Sequence, residues 1–210
     1  YNFFSWKKSF LRFYCNSLHF IINSNEINEH INTSKKIWEE ENPIVKSIEE
    51  IQILAEHSEE LSGKVVTIEG IIVDPKIKDA IFKITENDNL EKIHFNICEI
   101  NDTSFSVFSG FYFYKTALAI TNCNLTAFQG KVLFDGCLCP YYSYEVDLSN
   151  NQLGEKGSDF LEFLSKRVEE CIVSLNLSGN GFKAEDISKF LETRVSEYDI
   201  YFDDIQEIDK

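Results

Sequence analysis

Residues 146–153 read VDLSNNQL and residues 175–182 read LNLSGNGF. Both follow one cassette: apolar residues at positions one, three and eight, and Asn at position six. The residues are Val146, Leu148, Asn151 and Leu153, then Leu175, Leu177, Asn180 and Phe182. Looser copies lie upstream at Leu118-Ile120-Cys123-Leu125, Ile93-Phe95-Cys98-Ile100, Val66-Ile68-Ile71-Val73 and Phe20-Ile22-Asn25-Ile27. The third positions fall at 22, 68, 95, 120, 148 and 177, so the last four steps are 27, 25, 28 and 29 residues. At this composition roughly two full matches would arise by chance. Counting Asn or Cys at position six, five of the copies named above are full matches, and the even spacing marks an internal repeat.

Each part of the cassette has a physical role. Alternating apolar residues make a short strand that buries one face, so Val146 and Leu148 point inward while Asp147 and Ser149 point outward. The chain then turns inward and strands main-chain polar groups away from water. A buried Asn offers two donors and an acceptor to satisfy them. Cys is small and carries a weak S–H donor, so Cys98 and Cys123 can fill the same slot. Asn25, Cys98, Cys123, Asn151 and Asn180 are therefore the expected structural ladder. Ile71 cannot serve, and its repeat is expected to turn differently. A helical segment should follow each strand: Phe160, Leu161 and Leu164 come after Gly157, and Ile187, Phe190 and Leu191 repeat the spacing.

The pattern resembles the leucine-rich repeat of the ribonuclease-inhibitor-like type, over about residues 18–205 and most closely over 116–195. The resemblance implies an α/β solenoid, a horseshoe with a parallel β-sheet on its concave face and helices or irregular segments outside. It implies one domain over 1–210: an N-terminal cap at 1–17, a first repeat with a helical insertion at 18–62, repeats over 63–195 and a C-terminal cap at 196–210. Stacking is needed because no unit buries its apolar face alone. Parallel strands are expected near 20–22, 66–68, 93–95, 118–120, 146–148, 175–177 and 200–202. In style the repeats also resemble those of effectors of intracellular bacteria, which implies action in a host cell.

Between the cassettes, Pro43 suits a first helical turn, Ile44, Ile48, Ile51, Leu54 and Leu61 lie near helical spacing, and Gly63 suits the stop. Residues 101–114 are expected to cover the outside with aromatics rather than a regular helix. Residues 128–142 are expected to be irregular, because Pro140 stands against a long helix. GKVVTIEGIIV with DAIFKIT and KIHFNI admits a second reading, a small OB-like nucleic-acid-binding barrel over 63–135.

Charge weighs against that reading. The chain has 35 acidic and 20 basic residues, a net charge of −15, whereas phosphate-backbone binding needs clustered Lys and Arg. An acidic surface favours a basic protein partner, and no nucleic acid or membrane partner is expected. At 43% hydrophobic residues, with 18 Phe, core material is ample. The six cysteines are expected to stay reduced, with Cys98 and Cys123 buried and separated, and Cys137 and Cys139 too close for a bridge within a strand. The four His residues form no metal-spaced cluster, and no cofactor is expected. No apolar run reaches membrane-spanning length and no signal peptide is visible, which points to the cytoplasm or a host cytosol. With no Met in the chain, Tyr1 is expected to follow processing or trimming.

In the array, side chains between the inward strand positions line the open face. Toward the C-terminus these are Tyr144, Glu145, Asp147, Asn176, Asp199, Tyr201 and Asp203, a mix of aromatics and carboxylates suited to a Lys- or Arg-bearing partner. Gly-rich phosphate loops and a G-x-S-x-G elbow are absent, so a binding module rather than an enzyme is expected. Repeats of this type also occur in regulators of small GTPases, the alternative role the resemblance implies.

Overall fold

The computed structural model describes residues 37–86, 90–108, 116–137, 144–167, 172–193 and 199–202. Strand and helix alternate throughout: β1 (Ile44–Val45), α1 (Ile48–Glu56), β2 (Val65–Glu69), α2 (Lys78–Thr85), β3 (Lys92–Asn96), α3 (Phe105–Phe108), β4 (Ala117–Thr121), α4 (Ala127–Cys137), β5 (Tyr144–Asp147), α5 (Gly157–Arg167), β6 (Ile172–Asn176), α6 (Ala184–Thr193) and β7 (Asp199–Tyr201). The seven strands form one open α/β sheet in chain order, every pairing parallel. Parallel neighbours require a crossover between them, which the intervening helices and turns supply.

Register follows the cassette. Val66, Ile93 and Leu118 are level, as are Ile68, Phe95 and Ile120. All six are buried, while Thr67, Glu69, His94 and Asn96 between them are partly exposed. One sheet face therefore joins the core, and Ile51, Leu54, Ile81, Ile84, Phe108, Leu133, Phe160, Leu164, Ile187 and Phe190 from the helices complete it. Phenyl rings link successive units at the C-terminal end: Phe134 with Phe160, Phe160 with Phe182, and Phe182 with Phe202. Leu148 and Leu177 fall just past the ends of β5 and β6, yet their N–H groups still donate to Asn176 and Tyr201 at 2.9 and 2.8 Å.

Four expectations are corrected. The barrel over 63–135 does not form, because β2, β3 and β4 pair parallel in an open sheet. The helix expected from Pro43 begins at Ile48, capped by Ser47, whose Oγ accepts the Glu50 N–H at 3.2 Å. Ile44 and Val45 instead pair with Thr67 and Ile68 as a strand. Ile44 lies one helix period before Ile48, so its spacing mimics a helical turn. Residues 127–137 form α4 despite Pro140, which lies beyond its end. The helix is started by a reciprocal cap: Gln129 N–H donates to Thr126 Oγ1 at 3.3 Å, and Thr126 N–H donates to Gln129 Oε1 at 3.0 Å. Finally, the Ile71 turn keeps the backbone path of the others. Gly70, Ile97, Asn122, Asn150 and Gly179, each one residue before a ladder slot, all have φ between 54° and 71°. Their N–H groups point alike: Gly70 to Asn96 O, Ile97 to Thr121 O, Asn122 to Ser149 O and Asn150 to Ser178 O. The turn is set by this left-handed residue and the main-chain bonds, so it tolerates an apolar side chain in the slot. The strand expected at 20–22 and the N-terminal cap lie outside the described residues.

Candidate functional site

The ladder fixes where the open face begins. Asn151 is buried, and its Oδ1 accepts the N–H groups of Cys123 and Leu125 at 3.0 and 3.1 Å. Its Nδ2 donates to Ile120 O at 2.7 Å and Leu148 O at 2.9 Å. Asn180 repeats this one unit later, accepting Leu153 N–H at 3.2 Å and donating to Leu148 O and Leu177 O, both at 2.9 Å. The cysteines make the same contacts more weakly. Cys123 Sγ faces Phe95 O at 3.6 Å, and Cys98 Sγ faces Ile68 O at 3.3 Å. Thus the carbonyls of residues 68, 95, 120 and 148 each receive a side-chain donor from the following unit. Cys98 and Cys123 are buried free thiols, but they are not separated: Cys98 N–H donates to Cys123 Sγ at 3.3 Å. Asn25 lies outside the described residues.

The open face carries two rows at its C-terminal end. Glu145 is level with Ser174, and Ser174 with Asp199. Asp147 is level with Asn176, and Asn176 with Tyr201. In parallel strands level residues project to the same side, so the carboxylates and the Tyr201 phenol share one surface. Glu145, Asp199 and Tyr201 are exposed, and Asp147 and Asn176 are half-buried. Tyr144 opens β5, paired with Ile172. Asp203 lies outside the described residues. Asp147 and Asn176 also have a local role: their Oδ1 atoms accept the Ser149 and Ser178 N–H groups at 2.9 and 3.1 Å, closing the ends of β5 and β6.

The centre of this face holds a network that sequence reasoning did not single out. Thr121 Oγ1 donates to Asn96 Oδ1 at 3.2 Å and lies 2.8 Å from His94 Nε2. Asn122 Nδ2 adds a bond to Asn96 Oδ1 at 3.0 Å. His94 reaches from β3 toward β4, and Ala119, level with it, is 2% exposed although it belongs to the open face. Burial holds the His94 imidazole below its ordinary value of 6.5, Asp147 and Glu69 oppose that effect, and Lys92 adds to it. The available signal was the vertical alignment of His94, Ala119 and Asp147, in which only the middle residue leaves room for a ring.

Among the described residues no group of three His, Cys, Asp or Glu side chains is placed to hold a metal ion. No helix among them is long and apolar enough to cross a membrane. No protein-family model and no curated protein matches the chain.

Proposed function

We propose that the chain is a leucine-rich-repeat solenoid of the ribonuclease-inhibitor-like type, and that its open, concave sheet face docks a protein partner with a basic surface. The observation that carries this reading is the level placement of Glu145 with Ser174 and Asp199, beside Asp147 with Asn176 and Tyr201. Two carboxylates flank a small residue in one row. A carboxylate and a phenol flank an amide in the next. Strands in a sheet stand about 4.8 Å apart, so these groups span a patch that one Lys or Arg side chain and its neighbours can cover. Electrostatic attraction would speed encounter and select cationic surfaces, and Tyr201 supplies the amphipathic contact that binding sites favour.

The test compares wild type with a Glu145→Gln, Asp147→Asn, Tyr201→Ala variant in pull-downs and in titrations with the partner recovered. Asp147→Asn keeps the acceptor used by Ser149, so the strand end survives. Loss of recovery with an unchanged melting temperature is the expected result. Equal recovery by both proteins would sink the assignment to this face. Nucleotide hydrolysis by a captured GTPase, accelerated by wild type alone, would turn docking into regulation.

A further inference from the structure

Two consecutive rungs of the ladder are thiols. Phe95 pairs with Ile120 and Asn96 with Thr121, and the same offset carries Cys98 onto Cys123. Adjacent rungs of a parallel sheet stand about 4.8 Å apart, within the ~4.4–6.8 Å Cα separation that a disulfide spans. Cys123 Sγ already lies 3.3 Å from the Cys98 nitrogen. The geometry points to a redox switch in which a peroxide converts Cys98 and Cys123 into a reversible disulfide between neighbouring repeats.

The chemistry balances with hydrogen peroxide as oxidant. The Cys98 sulfur attacks one peroxide oxygen and the O–O bond breaks. A sulfenic acid forms at Cys98 and one water leaves. The Cys123 sulfur then attacks Cys98, the S–S bond forms, the S–O bond breaks, and the hydroxide departs as water with the Cys123 proton. Cys98 is suited to the first step: the side-chain contact with the Cys123 thiol lowers its own thiol to about 7. The same side-chain contact, with burial, raises the Cys123 thiol and keeps it protonated until the second step. Burial of both thiols, at 3% and 5% exposure, limits the reaction to a small oxidant.

The disulfide has a structural consequence. Cys98 Sγ and Cys123 Sγ lose the protons that face Ile68 O and Phe95 O, so two buried carbonyls lose their side-chain donors. The bridge also ties the turn that holds Ile97 covalently to the turn that holds Asn122, and Asn122 belongs to the His94–Thr121–Asn96 network on the open face. Oxidation is thereby felt on that surface, whatever binds there.

The full-length protein is treated with hydrogen peroxide under native conditions, blocked with an alkylating agent and digested without reduction. Mass spectrometry should show a predominant peptide pair joining Cys98 and Cys123, lighter by two hydrogens than the sum of its parts and released by dithiothreitol. The melting temperature should fall on oxidation and return on reduction, and Cys98→Ser or Cys123→Ser should abolish both changes. Ser keeps a donor in the slot, and the wild-type peptide map stands even if a variant fails to fold. Alkylation of both cysteines after peroxide treatment, sulfinic acid at Cys98 without the link, or a link no more abundant than other cysteine pairings would each overturn the proposal.

Discussion

Asn151 shows how much one side chain can hold. It meets two N–H groups and two strand carbonyls from two successive units, all in a buried turn. Asn151→Ala leaves those groups without partners and should cost about 1–3 kcal/mol, read as a lower urea midpoint. Asn151→Cys should recover part of that loss, because Cys98 and Cys123 already bond the equivalent carbonyls. Ile97 makes the opposite case. It is β-branched, 59% exposed and held at φ 54°, where the same position in other units is Gly or Asn. Ile97→Asn should raise stability by about 1 kcal/mol, measured as an upward shift of the same midpoint; a fall would show that the Ile side chain earns its place through contacts. His94 gives a pH signature. Its folded value is depressed by burial, so the unfolded chain binds more protons below the ordinary value of 6.5. Stability should therefore decline as pH falls through that range. In His94→Gln the decline should be smaller; identical pH profiles for the two proteins would refute the role of burial at His94.

At the scale of elements, the strands were legible and their connections less so. Alternation of apolar residues located β2, β3 and β4 because only one register buries Val66 with Ile68, Ile93 with Phe95 and Leu118 with Ile120. β1 was hidden by its brevity: two residues carry no period, and Ile44 with Ile48 mimics a helix turn. The start of α4 is written in TAFQ as the Thr126–Gln129 cap, and Pro140 falls after its last residue, Cys137, where it does not interrupt the helix. The rows of outward residues on β5, β6 and β7 were legible. The use of Asp147 and Asn176 to close their own strands was not, because it depends on the local turn geometry. Packing between elements yields a further prediction. A methyl group at Gly154 would stand 2.5 Å from the Asn180 carbonyl oxygen and from Gly181 backbone atoms. At Gly130 it would meet the ring of buried Phe160 at 2.7 Å and Leu153 at 2.9 Å. Both Gly→Ala changes should destabilise by about 1–3 kcal/mol, and Gly154→Ala should be the worse because main chain yields less than a ring. Thermal melts of the two variants rank them directly.

Taken as a whole, the sheet is a single file. Each strand pairs only with the one before and the one after it in the chain. β3 and β4 are five residues long and bonded on both sides, whereas β7 has three residues. Amide hydrogen exchange should be slowest in β3 and β4 and faster in β7, which is shorter and, among the described residues, pairs with β6 alone. Uniform protection along residues 65–201 would argue for one all-or-none body. The same single file governs how the chain finds its fold. Val45 to Ile68 is 23 residues, and later pairings bridge 25 to 29, so among the described strands none waits for a distant stretch of polypeptide to return. Ring-closure entropy rises only slowly with span, and here every span is about the same. Among the described strands the search has no hardest step set by topology, and a nucleus formed at any adjacent pair can extend in either direction along the sheet.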